Sequence, residues 1–362
     1  MPPDHFFHLL GHFKTVAKNA TKRLYALRKI KSMKPNSVHM QAKAPSLKNS
    51  PELTEYLILK NFVEAYSKHN PPPLLVFADS VFLRVADDDQ SSQSLGNILE
   101  DHYQNKVFLI SGSGYHSSMF ERFSEVLSTL PARPRMAVVP INLRSFSPTW
   151  DLNPLYQFHS EIELLSSFGF KQSGYKLQVK NSSSEMEDHL MTSMKLDGEK
   201  IITLGKFLDI IRESPAFGSD TWKRRLMTIF QYHYMYPVNS EHRKIKSLKQ
   251  IIRQLNGDGV AVYCYITPIN YEAGSEYCGE IFLEAVKKNL TLIRQEVESE
   301  LSAALVGNDA LMFRFDDFAF RFTRNIFFTS HNATEHLRFA GRNFIAQRIV
   351  EAEQALLRTD GY

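Results

Sequence analysis

Polar residues stand where the chain leaves four apolar runs, and together they make up the equipment of acyl transfer. Ser80 follows LLVFA in VFADSVFLRV, and Gly112 and Gly114 follow KVFLIS in ISGSGYHSS. Asn142 follows MAVVPI in PINLRSF, and His336 stands in SHNATEHL, beyond LMFRF. A serine hydroxyl becomes a useful nucleophile when an imidazole takes its proton. The intermediate that follows needs N–H donors aimed at its oxyanion, which glycine turns and a side-chain amide supply. Taken singly, each residue has an ordinary structural reading. Ser80 suits a helix N-cap, the glycines suit turns, Asn142 caps a turn, and His336 is a surface residue opening the last helix. Their common place after successive apolar runs is what favours chemistry.

Such residues need a scaffold that carries distant loops to one rim. The runs at 74–78, 106–111, 136–141, 259–270 and 311–315 read as short strands. Segments 52–68, 93–105, 117–130, 277–304 and 336–358 read as helices. That alternation predicts an α/β chain, a flavodoxin-like three-layer α/β/α arrangement around a parallel sheet with right-handed crossovers. Ligands of open parallel sheets bind beyond the carboxyl ends of the strands, where Ser80, Gly114, Asn142 and His336 all fall. Residues 151–256 break the rhythm. They hold a polar stretch, KNSSSEMEDH, and helical patterns at 202–213, 220–234 and 241–255. This part is expected to be a helical insertion that shapes a cleft or an oligomer contact.

The four blocks resemble those of the SGNH (GDSL-like) hydrolase superfamily, which carry Ser, Gly, Asn and His in this order. The resemblance covers residues 74–146 and 259–350. It implies an esterase with Ser80 as nucleophile and His336 as general base. The oxyanion hole would comprise the Ser80 and Gly114 N–H groups and the Asn142 amide, with Gly112 as the other candidate glycine. Asp79 would hold the turn around Ser80 without reacting. Two positions depart from the family pattern. Ala78 replaces the glycine of GDS, and Ala333 stands where the triad Asp is expected. The imidazole would then be oriented by a backbone carbonyl, by Glu335 or by Asp317. The implied substrate is an acyl ester, O-acetyl groups on a glycan included. Resembling families also run O-acyl transfer on the same site. A non-catalytic SGNH-like binding domain is a third reading, with Ala333 as its support. Arg144 is a candidate for holding an anionic part of a substrate, or else a surface ion pair; Tyr115, His116 and Trp150 are candidates for lining the pocket.

Composition sets the frame. Of 362 residues, 43% are hydrophobic and 23% charged, and 26 are Phe, enough for a large aromatic-rich core. The net charge of +4 is unevenly spread: the first fifty residues hold ten Lys or Arg against Asp4 alone, so the remainder is net negative. Residues 5–31 have the spacing of a basic amphipathic helix. It suits peripheral contact with an anionic membrane surface or packing on its own protein. Residues 32–50 read as a linker. No apolar stretch reaches membrane-span length and the N-terminus lacks a signal layout, which predicts a cytoplasmic protein. Cys264 and Cys278 read as free thiols. Asp87, Asp88 and Asp89 read as a solvated acidic loop, and His5, His8 and His12 complete no metal site. There is no P-loop and no GxGxxG. No cofactor, metal or nucleic acid is therefore expected, and the oligomeric state is left open.

Overall fold

The computed structural model describes residues 51–112, 114–147, 150, 158, 162, 165, 193–196, 200–305 and 313–357. The expected N-terminal helix, the linker and the 180–189 stretch lie outside these residues. Five strands form one parallel sheet: β1 (Leu74–Ala78), β2 (Val107–Ser111), β3 (Met136–Ile141), β6 (Ala261–Ile266) and β7 (Phe313–Asp317). Their order is β2-β1-β3-β6-β7, and a separate two-stranded antiparallel sheet joins β4 (Ser193–Leu196) to β5 (Lys200–Thr203). The fold is the expected α/β class, with helices on both faces of the sheet.

The sequence of the central strands explains this layering. β1, β3 and β6 are buried along their whole length, as strands covered on both faces must be. Successive side chains point to opposite faces. Leu75, Phe77, Ala137, Val139, Val262 and Cys264 enter one core. Leu74, Val76, Met136, Val138, Tyr263 and Tyr265 enter the other. The first core is closed by α1 (Pro51–Tyr66), α4 (Ser117–Thr129), α7 (Arg243–Gly257) and α9 (Glu280–Leu305). The second is closed by α2 (Ser80–Leu83), α3 (Leu95–His102) and α10 (Phe339–Leu357). Among the described residues, no helix is long and apolar enough to cross a membrane.

Register brings the strand ends together. Ala78 pairs with Ser111, Ile141 with Ile266, and Ile266 with Asp317. From β1 the chain moves outward to β2, then returns to β3 on the other side of β1. The strand order reverses there, the place where such sheets leave a crevice.

Four expectations need correcting. The insertion is not wholly helical: β4 and β5 pair antiparallel ahead of α5 (Leu204–Arg212), and the helix expected from residue 202 begins at 204. The insertion does not extend to residue 256, because α7 packs between α4 and α9 as the crossover that a parallel β3-to-β6 connection requires. The helix expected at 277–304 begins three residues later, as α9, and is preceded by a separate short helix, α8 (Tyr271–Cys278), which Gly279 ends with a φ of 72°. The last helix begins at Phe339, so His336 lies outside it. One further helix, α6 (Asp220–Tyr234), coincides with the expected 220–234 pattern. Both cysteines are free thiols.

Candidate active site

Ser80 is the first residue of α2, two residues past the end of β1. The Asp79 carboxylate caps this short helix by accepting the Val81 N–H at 2.8 Å. Its other oxygen accepts the Asn142 amide at 3.1 Å, so one side chain ties the β1 end to the β3 end. Ala78 is not among the residues with positive φ, and the backbone therefore accommodates its methyl.

His336 reaches Ser80 from a segment 256 residues away: its Nε2 lies 3.0 Å from Ser80 Oγ. This segment is extended. Phe327 and Leu337 form an antiparallel bridge, Phe328 N–H donates to the His336 carbonyl at 3.0 Å, and Arg338 N–H donates to Ile326 at 2.7 Å. Side chains of extended backbone alternate in direction, and that settles the orientation of the imidazole. Thr334 and His336 fall on one side, with Thr334 Oγ1 at 3.1 Å from His336 Nδ1 and accepting the His336 N–H at 3.1 Å. Glu335 falls on the other side. Its carboxylate is fully buried, 3.0 Å from Arg144 Nη2, and accepts the Tyr234 hydroxyl. Glu335 is therefore not the partner of the imidazole, and neither is Asp317, which pairs with Arg294 at 3.1 Å and caps Ala319. The group at Nδ1 is the Thr334 hydroxyl. When Nε2 accepts from Ser80, Nδ1 carries the ring proton and Thr334 Oγ1 accepts it.

The donors on the rim divide. Gly114 is buried with a φ of 84°, a conformation glycine adopts at little cost. Asn142 uses its carbonyl oxygen for the Arg144 N–H at 3.0 Å and one amide proton for Asp79, which leaves the second amide proton. Gly112 is not such a donor. Its N–H is directed to the Ala78 carbonyl at 3.4 Å, and a Cβ there would meet the Tyr115 ring at 2.5 Å, so its smallness serves packing. Arg144 is not a surface ion pair. Besides Glu335, it donates to the Ala333 carbonyl at 3.1 Å and lies 4.9 Å from the centroid of the Trp150 ring. It holds the 333–336 segment from behind. Tyr115 and His116 line a small recess with Asp79 and Asn142, and His116 also caps α4.

Burial pulls the His336 pKa down to about 4, and the Arg144 and Arg84 guanidiniums push in the same direction. The ring is neutral at pH 7 and ready to accept a proton, yet among the described residues no carboxylate faces it to stabilise the imidazolium it would form. Burial pushes the Asp79 carboxyl above its usual range, against the hydrogen bonds from Val81 and Asn142.

Asp87 and Asp88 are exposed, as expected of a solvated acidic loop, but Asp89 departs from that expectation. Asp89 accepts the Phe339 N–H at 2.9 Å and pairs at 2.7 Å with Arg342, whose side chain is fully buried. Arg342 also donates to the carbonyls of Leu337, Ser91 and Gln93 at 2.7, 3.0 and 3.0 Å. Asp88 pairs with Arg338 at 2.9 Å. This clasp fixes the start of α10 and the extended segment before it.

Sequence reasoning missed Thr334 and the Asp89–Arg342 clasp. The first was visible only as a hydroxyl two residues before His336, a spacing that matters if the backbone is extended. The second had no local signal, since its members are 253 residues apart. No protein-family model matches this chain, and no curated protein is found to be similar to it, so the site stands on its geometry.

Proposed function

We propose that this protein is a serine esterase working through an acyl-enzyme. His336 Nε2 takes the Ser80 proton as Oγ attacks the ester carbonyl. The Ser80 and Gly114 N–H groups and the free Asn142 amide proton hold the oxyanion. Collapse of the intermediate breaks the ester C–O bond, and His336 returns the proton to the departing alcohol. Water, activated by the same imidazole, then releases the acid and restores Ser80. Thr334 keeps the proton on Nδ1 throughout the ground state.

The observation that carries this reading is the 3.0 Å contact between Ser80 Oγ and His336 Nε2, with Nδ1 turned to Thr334. It lies at the switch point of the sheet, where Asn142 and Gly114 also stand. A fluorophosphonate probe tests it. Labelling of the wild type that disappears in Ser80→Ala and in His336→Ala is expected. A wild type that is not labelled, or a Ser80→Ala variant that still is, would overturn it. Adding an alcohol acceptor during turnover separates hydrolysis from O-acyl transfer, through the ratio of free acid to new ester.

A further inference from the structure

An aromatic surface adjoins the loop that carries His336. Phe217 is 75% exposed, more than any other large apolar side chain among the described residues. It is held outward by a turn in which Gly218 has a φ of 78° and the Ser219 N–H and hydroxyl both donate to the Ala216 carbonyl, at 3.2 and 2.7 Å. Its ring lies 4.6 Å from Trp222 and 5.3 Å from His331. Trp222 in turn lies 5.1 Å from His331 and 6.0 Å from Tyr277. Beside these rings is a solvent-facing ion pair, Arg324 to Glu276 at 2.6 Å.

The surface is tied to the candidate active site through one short loop. Phe328 holds the His336 carbonyl, and its ring lies 5.4 Å from the imidazole. His331 follows Phe328 by three residues, a Cα separation of at most about 11 Å. The buried Asn270 amide donates to the Ser330 and Asn332 carbonyls at 3.1 and 3.0 Å, which fixes His331 between them.

We propose that Phe217, Trp222 and His331 form a stacking subsite for a sugar ring in the alcohol portion of the substrate. The negative face of an aromatic ring attracts the weakly positive C–H face of a pyranose. The hydroxyl edge of the same sugar needs donors and acceptors, which Arg324 and Glu276 offer at the border of the rings. An acyl chain is served by an enclosed aliphatic groove, whereas these rings are open and rimmed by charge. The inference rests on the esterase reading, since it names that enzyme's alcohol.

Partially O-acetylated xylo- and cello-oligosaccharides test it on the full-length chain. In Ser80→Ala protein they are expected to produce saturable binding in calorimetry, weakened about tenfold or more by adding Phe217→Ala. In otherwise wild-type protein, Phe217→Ala is expected to raise KM for these esters about tenfold. It should leave their kcat and the turnover of 4-nitrophenyl acetate unchanged. Absence of saturable binding, or binding indifferent to Phe217, overturns the subsite. So does a Phe217→Ala effect that grows from 4-nitrophenyl acetate to 4-nitrophenyl octanoate, because the surface would then serve the acyl chain. Phe217-dependent sugar binding without any ester turnover would leave the subsite standing and remove the esterase reading.

Discussion

The two halves of the candidate site are built by different means. Ser80, Gly114 and Asn142 sit where β1, β2 and β3 end, and the register of a sheet whose central strands are buried sets their spacing. Thr334 and His336 sit on an extended loop that belongs to no sheet. It is held by the Asp89–Arg342 clasp, by Arg144 on the Ala333 carbonyl, and by Asn270 on Ser330 and Asn332. The first half is placed by apolar burial, which is spread over many residues. The second is placed by a few buried polar contacts, each of which counts heavily when lost.

Substitutions should separate the halves. Ser80→Ala should lower turnover by roughly 10⁴-fold or more while leaving thermal unfolding unchanged, because it removes the reacting atom and no packing. A large fall in Tm would instead give Ser80 a structural role. Arg342→Met should cost about 3–5 kcal/mol of stability, since it leaves the Asp89 charge buried and unpaired. Activity should fall with it as the loop loosens, and denaturant unfolding alongside turnover measures both. Asn142→Ala should reduce kcat about 100- to 1,000-fold with a smaller change in KM, as expected for a donor used in the transition state. An equal loss in KM alone would reassign Asn142 to substrate binding.

The mildest change is also the most specific. Thr334→Val should lower kcat about tenfold, the worth of one hydrogen bond to the ring. Thr334→Ser should restore it. The acid limb of kcat/KM should report His336 and lie near pH 4, below the usual histidine range. Thr334→Asp, which places a carboxylate beside Nδ1, should move that limb upward. The same depressed pKa links to stability. Between about pH 4 and the ordinary histidine value the unfolded chain binds the proton and the folded chain does not. This contribution is fully present above that window and is lost as pH falls through it. His336→Gln should flatten that part of the stability–pH curve.

The strand-end half was legible because its signals are local. Apolar runs of five or six residues mark β1, β2 and β3, and the residues just past them must lie on the rim of a parallel sheet. The loop half was legible only in its one reactive residue. Adjacency in sequence suggested Glu335 as the companion of His336, but an extended backbone turns neighbouring side chains apart and brings Thr334 to the ring instead. Asp89 looked like surface together with its exposed neighbours Asp87 and Asp88, because charge usually is. A buried carboxylate facing a buried guanidinium from another part of the chain leaves no periodicity to read.

The order of residue types along this chain was enough to dictate a parallel sheet and to put a hydroxyl, a glycine turn and an amide at its carboxyl edge, since burial acts on runs of neighbouring side chains. Only the folded chain could decide which group would face the second nitrogen of the imidazole. That choice depends on the direction of one extended segment, and on the Asp89–Arg342 ion pair, whose members stand 253 positions apart and cancel each other's charge out of reach of water.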